Sequence, residues 1–266
     1  IRSKRVFRLF TAPLARFDVD EIAHFDPSLI HAHIPHLSIC WQASRMSRRL
    51  GVPLVITIHN LESPEVFADS FARRVLAYPY HSLLTPRVLE ESSAVIATSP
   101  LLRSELKSMG FGDRVYVIPV GVDTHKFSPP KKLVEKQVAE VLFVGSMGRS
   151  FTYKGIPVLL EAVKEVVRSN PSVRFKLVGA GDMMPHYLKL ASSLGIGKYV
   201  TFTGYLEEEV LIEQYASCDL LVLPSTTRLE GFGTVVLEAM ACGVPIVASN
   251  IGGVPDCLLY TSAAAD

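Results

Sequence analysis

Residues 219–253 read DLLVLPSTTRLEGFGTVVLEAMACGVPIVASNIGG, and the succession of residue types predicts strand, loop, helix, strand and turn. Segments 219–223 and 245–248 are short apolar runs of the kind a parallel sheet buries on both faces, with a helix expected over 234–242 between them. The first strand delivers Pro224 and Ser225 to its C-terminal end, the edge where open α/β sheets hold ligands. Glu230 follows in the loop, Gly231-Phe232-Gly233 opens the helix, and Glu238 stands in its second turn. The unpaired backbone N–H groups of Phe232, Gly233 and Thr234 face the same crevice and, with the helix dipole, suit a phosphate. Glycine there lets the backbone come close.

The same alternation extends outward in both directions. Upstream in the second half, strands are expected at 140–144, 174–178 and 199–203, with helices at 155–169, 184–194 and 207–217. The first half offers strands at 29–32, 53–58, 94–97 and 115–118. A helix over 37–50 stops at Gly51, and another starts at Ser99-Pro100 and ends near Gly110. Strands alternating with helices imply parallel sheets, so the fold class is α/β with two domains. We expect an N-terminal domain over 1–121, short of strands because nothing before Leu29 reads as one, and a C-terminal domain over 122–256. Segment 122–137 has adjacent prolines, Lys131 and Lys132, and little apolar periodicity, which marks a linker. Segment 257–266 (CLLYTSAAAD) shows no helical or strand pattern and reads as a tail, either natural or a cloning or sequencing scar.

The 266 residues are enough for about two domains. Apolar residues make up 48% and charged residues 20%, and 27 basic against 26 acidic side chains leave a net charge of +1. That balance argues against disorder and against nucleic-acid binding. No apolar run reaches the roughly 18 residues of a membrane span and no signal peptide is recognisable, so a cytoplasmic location is expected. Cysteines 40, 218, 242 and 257 are scattered without metal-ligand spacing. Arg2, Lys4, Arg5, Arg8, Arg16, Arg45, Arg48 and Arg49 make the first 50 residues basic. A solvated helix surface is the favoured reading of that charge, with peripheral contact to the inner membrane face as the alternative.

The two glutamates stand eight residues apart across the Gly-Phe-Gly turn, too far to share a proton. A carboxylate accepts two hydrogen bonds from vicinal hydroxyls, so Glu238 suits a ribose and Glu230 a sugar ring. Isolated carboxylates at a helix start often only complement the dipole. The preceding strand, the glycines and the following Ala-Met-Ala-Cys-Gly-Val-Pro favour a ligand site here.

With these residues in view, the sequence resembles family 4 of the retaining, nucleotide-sugar-dependent glycosyltransferases. The matching segments are VIPVGVDTHKF at 117–127, LFVG and YKGIPVLLEA within 142–162, LVGAGD at 177–182, ASCDLLVLPS at 216–225, EGFGTVVLEAMACGVPIVAS at 230–249 and GGVPD at 252–256. DPSLIHAHIP and VPLVITIHN within 26–60 match less closely but in order. The resemblance implies the GT-B fold, two Rossmann-like domains with the donor on the second, the acceptor on the first, and reaction in the cleft between. It implies hexosyl transfer from a nucleoside diphosphate sugar to a carbohydrate, lipid-linked or small-molecule acceptor, without metal or other cofactor. A catalytically incompetent nucleotide-sugar-binding fragment is the alternative. Carried over by position, Glu238 binds the donor ribose, Glu230 the sugar hydroxyls, Lys154 the diphosphate, and His59 reaches the sugar from the first domain.

The departing diphosphate gathers negative charge, so a cation and a helix N-terminus aimed at it lower the barrier. Where family members often carry an arginine this chain has Ser146. Arg149, three residues on, either substitutes or is solvent-exposed. Gly179-Ala180-Gly181 lacks the third glycine of a dinucleotide fingerprint and reads as a tight turn, which in the family borders the donor site. His31, His33 and His36 fit a polar cleft edge better than a metal site, since no carboxylate or thiolate lies nearby. Phe232, Tyr153 and Tyr205 flank a sugar or base, or simply pack.

Overall fold

Alternation of buried side chains along the strands explains why this chain builds layers with helices on both faces of a sheet. In β5 (Glu140–Val144), Leu142 and Val144 enter one core and Val141 and Phe143 the other, because successive side chains of a strand point to opposite faces. The computed structural model describes residues 24–33, 38–61, 85–130 and 136–263. The chain divides into two units, Ile1–Pro119 and Val120–Asp266.

In the first unit β1 (Ile30–His33), β2 (Leu54–Ile58), β3 (Ala94–Ala97) and β4 (Val115–Val117) pair in parallel in that order. Helices α1 (Ser38–Leu50), α2 (Thr85–Glu91) and α3 (Pro100–Ser108) connect them. Ser99 caps α3 by accepting a hydrogen bond from the Leu102 N–H at 3.1 Å, and Pro100 supplies a pre-set helical φ. Ile56, Ile58, Leu89, Val95, Ala97 and Leu106 form the core; each fully buried aliphatic side chain of that size contributes about 1.5–3 kcal/mol. The seven-residue α2 is too short to announce itself by periodicity and is held by Val88 and Leu89 in that core. Residues 1–23, on which the expectation of an incomplete first domain rests, lie outside the described residues, as do His36, Lys131 and Lys132.

In the second unit the strands are β5, β6 (Arg174–Val178), β7 (Val200–Gly204), β8 (Leu220–Leu223) and β9 (Ile246–Ala248). The helices are α4 (Ile156–Ser169), α5 (Met184–Ser193), α6 (Glu208–Ser217), α7 (Thr234–Ala241) and α8 (Val254–Ala263). All pairs are parallel in the order β7-β6-β5-β8-β9. The chain thus runs from β5 to one edge and then resumes at β8 on the other side. Leu159, Leu160 and Val163 of α4 and Tyr187 of α5 cover one face. Tyr215 of α6, Val236 and Leu237 of α7 and Cys257 of α8 cover the other. All four cysteines are buried free thiols, and no described helix is long and apolar enough to cross a membrane.

One expectation is corrected. Segment 257–266 is not without secondary structure, since α8 continues through Ala263; Val254 and Cys257 anchor it in the core, a tertiary contact that a short Ser- and Ala-rich pattern does not reveal. Within segment 122–137 of the second unit, Phe127 is buried edge-on against Tyr215 with ring centroids 5.9 Å apart, and Val122 packs on the same core.

Candidate functional site

The loops that follow β5, β6, β8 and β9 leave the second sheet at one edge, because parallel strands place all their C-terminal ends together. The strand order reverses direction between β5 and β8. That is the topological switch point, where two adjacent loops diverge and open a crevice.

The loop after β5 ends in a 3-10 turn, Arg149–Lys154, and the loop after β8 carries Ser225 and Glu230. Their side chains meet at the switch point. The Lys154 ammonium donates to Glu230 Oε1 at 2.9 Å and to Oε2 at 2.8 Å, and Ser225 Oγ donates to Oε2 at 2.5 Å. The Lys154 and Glu230 side chains are only 13% and 5% exposed. Glu230 is therefore a buried carboxylate with its cation in direct contact, not on the opposite flank of a crevice; burial requires that pairing.

Backbone close approaches set this geometry. Gly155 has φ +72°, and a Cβ there would lie 1.9 Å from the Pro224 carbonyl oxygen, so the two loops touch through glycine. Gly252 and Gly253 likewise press on the Glu230 and Gly231 carbonyls, and the Gly253 N–H donates to the Glu230 carbonyl at 3.2 Å.

Gly233 takes a left-handed conformation, φ +70° and ψ +60°, and opens α7 without a side-chain cap. Among the described residues the backbone N–H groups of Phe232, Gly233 and Thr234 have no hydrogen-bond acceptor. Thr234 is exposed, whereas the Phe232 ring is buried in the core, so Phe232 can offer a ligand its N–H and not its ring. Glu238, half-buried on α7, accepts a 2.6 Å hydrogen bond from Tyr215 Oη. Burial raises its carboxyl above the ordinary range, the Tyr215 bond opposes that rise, and the charge of Glu208 adds to it.

Arg149 is not brought to the Lys154–Glu230 pair. Its N–H donates to Asp182 Oδ1 at 2.8 Å and its guanidinium lies 3.6 Å from Asp182 Oδ2, both side chains being exposed. Gly181 is a packing position, since a Cβ would lie 2.1 Å from the Met147 carbonyl carbon. It lets the turn after β6 lie against the loop after β5, where the Met147 N–H donates to the Ala180 carbonyl at 2.9 Å.

In the first unit His59 ends β2, and the parallel register brings it to the histidines of β1. His33 Nδ1 and His59 Nε2 share a hydrogen bond at 3.0 Å, while His31 and His33 stack with centroids 4.5 Å apart. Burial first, then the neighbouring imidazoles, lowers the pKa of His59 below 6.5, and burial and His33 lower that of His31. The unfolded chain therefore takes up protons first as pH falls. Stability from these groups is present above about pH 6.5 and is lost as pH drops through the folded values. Trp41, the single tryptophan, lies on α1 of this unit and reports its unfolding. Its urea midpoint is expected to fall between pH 7.5 and 5.5, and to fall less in His59→Asn; equal falls would remove His59 from the effect.

Among the described residues no group of three or more His, Cys, Asp or Glu could hold a metal ion. Of the basic N-terminal residues, Arg48 pairs with Glu91 at 2.8 Å and Arg45 lies over the Trp41 ring at 4.9 Å; Arg2, Lys4, Arg5, Arg8 and Arg16 lie outside the described residues. Tyr215 and Ser225 are the positions that sequence reasoning left without a role. Ser225 adjoins the motif, but Tyr215 stands 23 residues before Glu238 with no local signal linking them.

Residues 139–262 match the family described as Glycosyl transferases group 1, and residues 2–126 match Glycosyltransferase Family 4. The chain is similar to D-inositol 3-phosphate glycosyltransferase of Segniliparus rotundus, 31% identical over 261 residues that cover 92% of this chain and 56% of that protein. It is also similar to a GDP-mannose-dependent alpha-(1-6)-phosphatidylinositol monomannoside mannosyltransferase of Mycolicibacterium smegmatis, 32% identical over 82% of this chain and 64% of that protein. It thus spans somewhat over half the length of these curated relatives. The crystal structure of Anabaena HepE in complex with UDP shares the fold with a TM-score of 0.68 at 24% identity, over 89% of this chain and 64% of that one. Two parallel-sheet units, both family matches and these relatives lead to one conclusion: the chain belongs to the group 1, family 4 glycosyltransferases and has their GT-B fold.

Proposed function

We propose that this chain transfers a hexosyl unit, with retention at the anomeric carbon, from a nucleoside diphosphate sugar to an acceptor hydroxyl, and that its second unit holds the donor. The observation that carries the reading is the Lys154–Glu230–Ser225 cluster at the switch point of the sheet, in the same β8–α7 connection that ends in unpartnered amides. A relative that is GDP-mannose-dependent and a structural neighbour crystallised with UDP support a nucleoside diphosphate donor.

In this reading the amides of Phe232, Gly233 and Thr234 receive the diphosphate, and Lys154 turns part of its charge from Glu230 toward the phosphate as negative charge grows there. Glu230 accepts hydrogen bonds from the sugar hydroxyls and Glu238 from the ribose. The bond from the anomeric carbon to the phosphate oxygen breaks and the bond to the acceptor oxygen forms on the same face. The acceptor proton passes to the leaving phosphate, so no side chain becomes a covalent nucleophile. The protein orients the reactants and stabilises charge. These groups supply the cationic stabilisation themselves, so turnover is expected to persist in EDTA. Arg149 would serve as a second phosphate contact only by leaving Asp182. The acceptor is a carbohydrate, a lipid-linked alcohol or a small molecule, and for a lipid-linked one the basic α1 is the surface that would meet an anionic headgroup layer.

A thermal-shift series with UDP, GDP and their sugars tests the donor site. A ligand at 100 times its Kd stabilises the folded chain by about 2.7 kcal/mol. Release of nucleoside diphosphate, with the product's anomeric configuration read by NMR, tests transfer. No shift with any nucleoside diphosphate would overturn the donor site; an inverted product would overturn retention; binding without turnover would overturn transfer alone.

A further inference from the structure

We infer that Tyr215 is a positioning residue for the donor nucleoside, its hydroxyl holding one oxygen of Glu238 so that the other is presented to the ribose hydroxyls. This rests on the reading above that Glu238 faces the nucleoside.

Tyr215 is fully buried, and its ring is clamped by Phe127 and the core beneath α6. A buried tyrosine hydroxyl needs a partner, and here the partner is a carboxylate on a different helix, Glu238 Oε2 at 2.6 Å. Burial, and the negative charge of Glu238 beside it, push the Tyr215 phenol upward, so it stays a donor. The second oxygen, Oε1, has no hydrogen-bond partner among the described residues, and no cation is paired with Glu238 there. The titratable groups that act on Glu238 are Tyr215 and Glu208, and Glu238 in turn acts on Cys242.

A carboxylate kept only for structure would be expected to hold a cation, as Glu140 holds Lys176 in this unit. Glu238 instead has one neutral donor that fixes its rotation about the carboxyl axis. Two vicinal hydroxyls would find Oε1 free and already oriented, so binding need not immobilise the side chain. Since Tyr215 is rooted in the core, the orientation of Glu238 is set before any ligand arrives.

The test compares Tyr215→Phe with the unchanged chain by calorimetry, using UDP or GDP, whichever binds, and its 2′,3′-dideoxy analogue. The unchanged chain is expected to prefer the ribonucleotide. Tyr215→Phe is expected to lose about tenfold in affinity for the ribonucleotide, as for a hydrogen bond to a charged group, and to keep its affinity for the dideoxy analogue. Glu238→Gln should lose the same preference, and the double variant should lose no more. In turnover Tyr215→Phe should raise the donor KM and leave kcat near its original value. Equal losses on both nucleotides would mark Tyr215 as structural and overturn the proposal. If Tyr215→Phe does not fold, Tyr215→Leu is held to the same comparison. Failure of the unchanged chain to bind any nucleoside diphosphate would instead reject the donor-site reading. Binding without preference for ribose, unchanged in Glu238→Gln, would reject Glu238 and with it Tyr215, leaving the donor site in place.

Discussion

Replacing Lys154 by alanine is expected to lower turnover by on the order of 10²–10³, as for loss of a group that stabilises developing negative charge, and to destabilise the second unit at the same time. The two effects have one origin. Lys154 Nζ is the only cation paired with Glu230 among the described residues, at 2.8 Å from Oε2, and removing one partner of a buried ion pair costs about 3–5 kcal/mol. Ser225 alone would then hold the stranded carboxylate. The double variant Lys154→Ala with Glu230→Gln should recover most of that stability, since no buried charge is left, and none of the activity. Urea unfolding and donor turnover on the two variants and the unchanged chain separate the two contributions. Full turnover in Lys154→Ala would remove it from the leaving-group role. Unchanged stability would mean that water reaches the pair and screens it.

Gly155→Ala is expected to cost on the order of 3 kcal/mol or more, and to weaken nucleoside diphosphate binding although no ligand-facing group is lost. At φ +72° any side chain is strained by about 1–2 kcal/mol. A Cβ there would also lie 1.9 Å from a backbone oxygen, that of Pro224, which cannot swing aside as a flexible side chain would. The loops bearing Lys154 and Ser225 would have to separate, and overpacking of this kind adds about 1–3 kcal/mol. Gly195→Ala is the control, because its φ is +70° and nothing lies within 4 Å of the added carbon; only the conformational part, about 1–2 kcal/mol, applies. Equal losses in the two variants would show that the contact between the loops carries no weight.

Lys154 was named only through the family resemblance, whereas strand and helix identity, parallel pairing and the candidate residues Glu230 and Glu238 were readable from the chain itself. Each depends on local pattern: apolar runs of strand length, Ser99-Pro100 at a helix start, Gly-Phe-Gly between strand and helix. The elements that escaped were those held by distant contacts. α2 and α8 are short and owe their place to Val88, Leu89, Val254 and Cys257 in cores built elsewhere in the chain. Phe127 looked like part of a linker until Tyr215 supplied the surface it packs on.

What the linear order of residues determined by itself was which segments must be buried and on which side, because periods of 2 and 3.6 are properties of a single strand or helix. It could not choose neighbours. β6, β8 and β9 are interchangeable as buried parallel strands, and only packing of the whole sheet sets β8 beside β5. That choice brings Lys154 to Glu230 across 76 residues and Tyr215 to Glu238 across 23. Partner selection is decided by the summed burial and hydrogen bonding of many segments at once, a quantity that no single stretch of sequence contains.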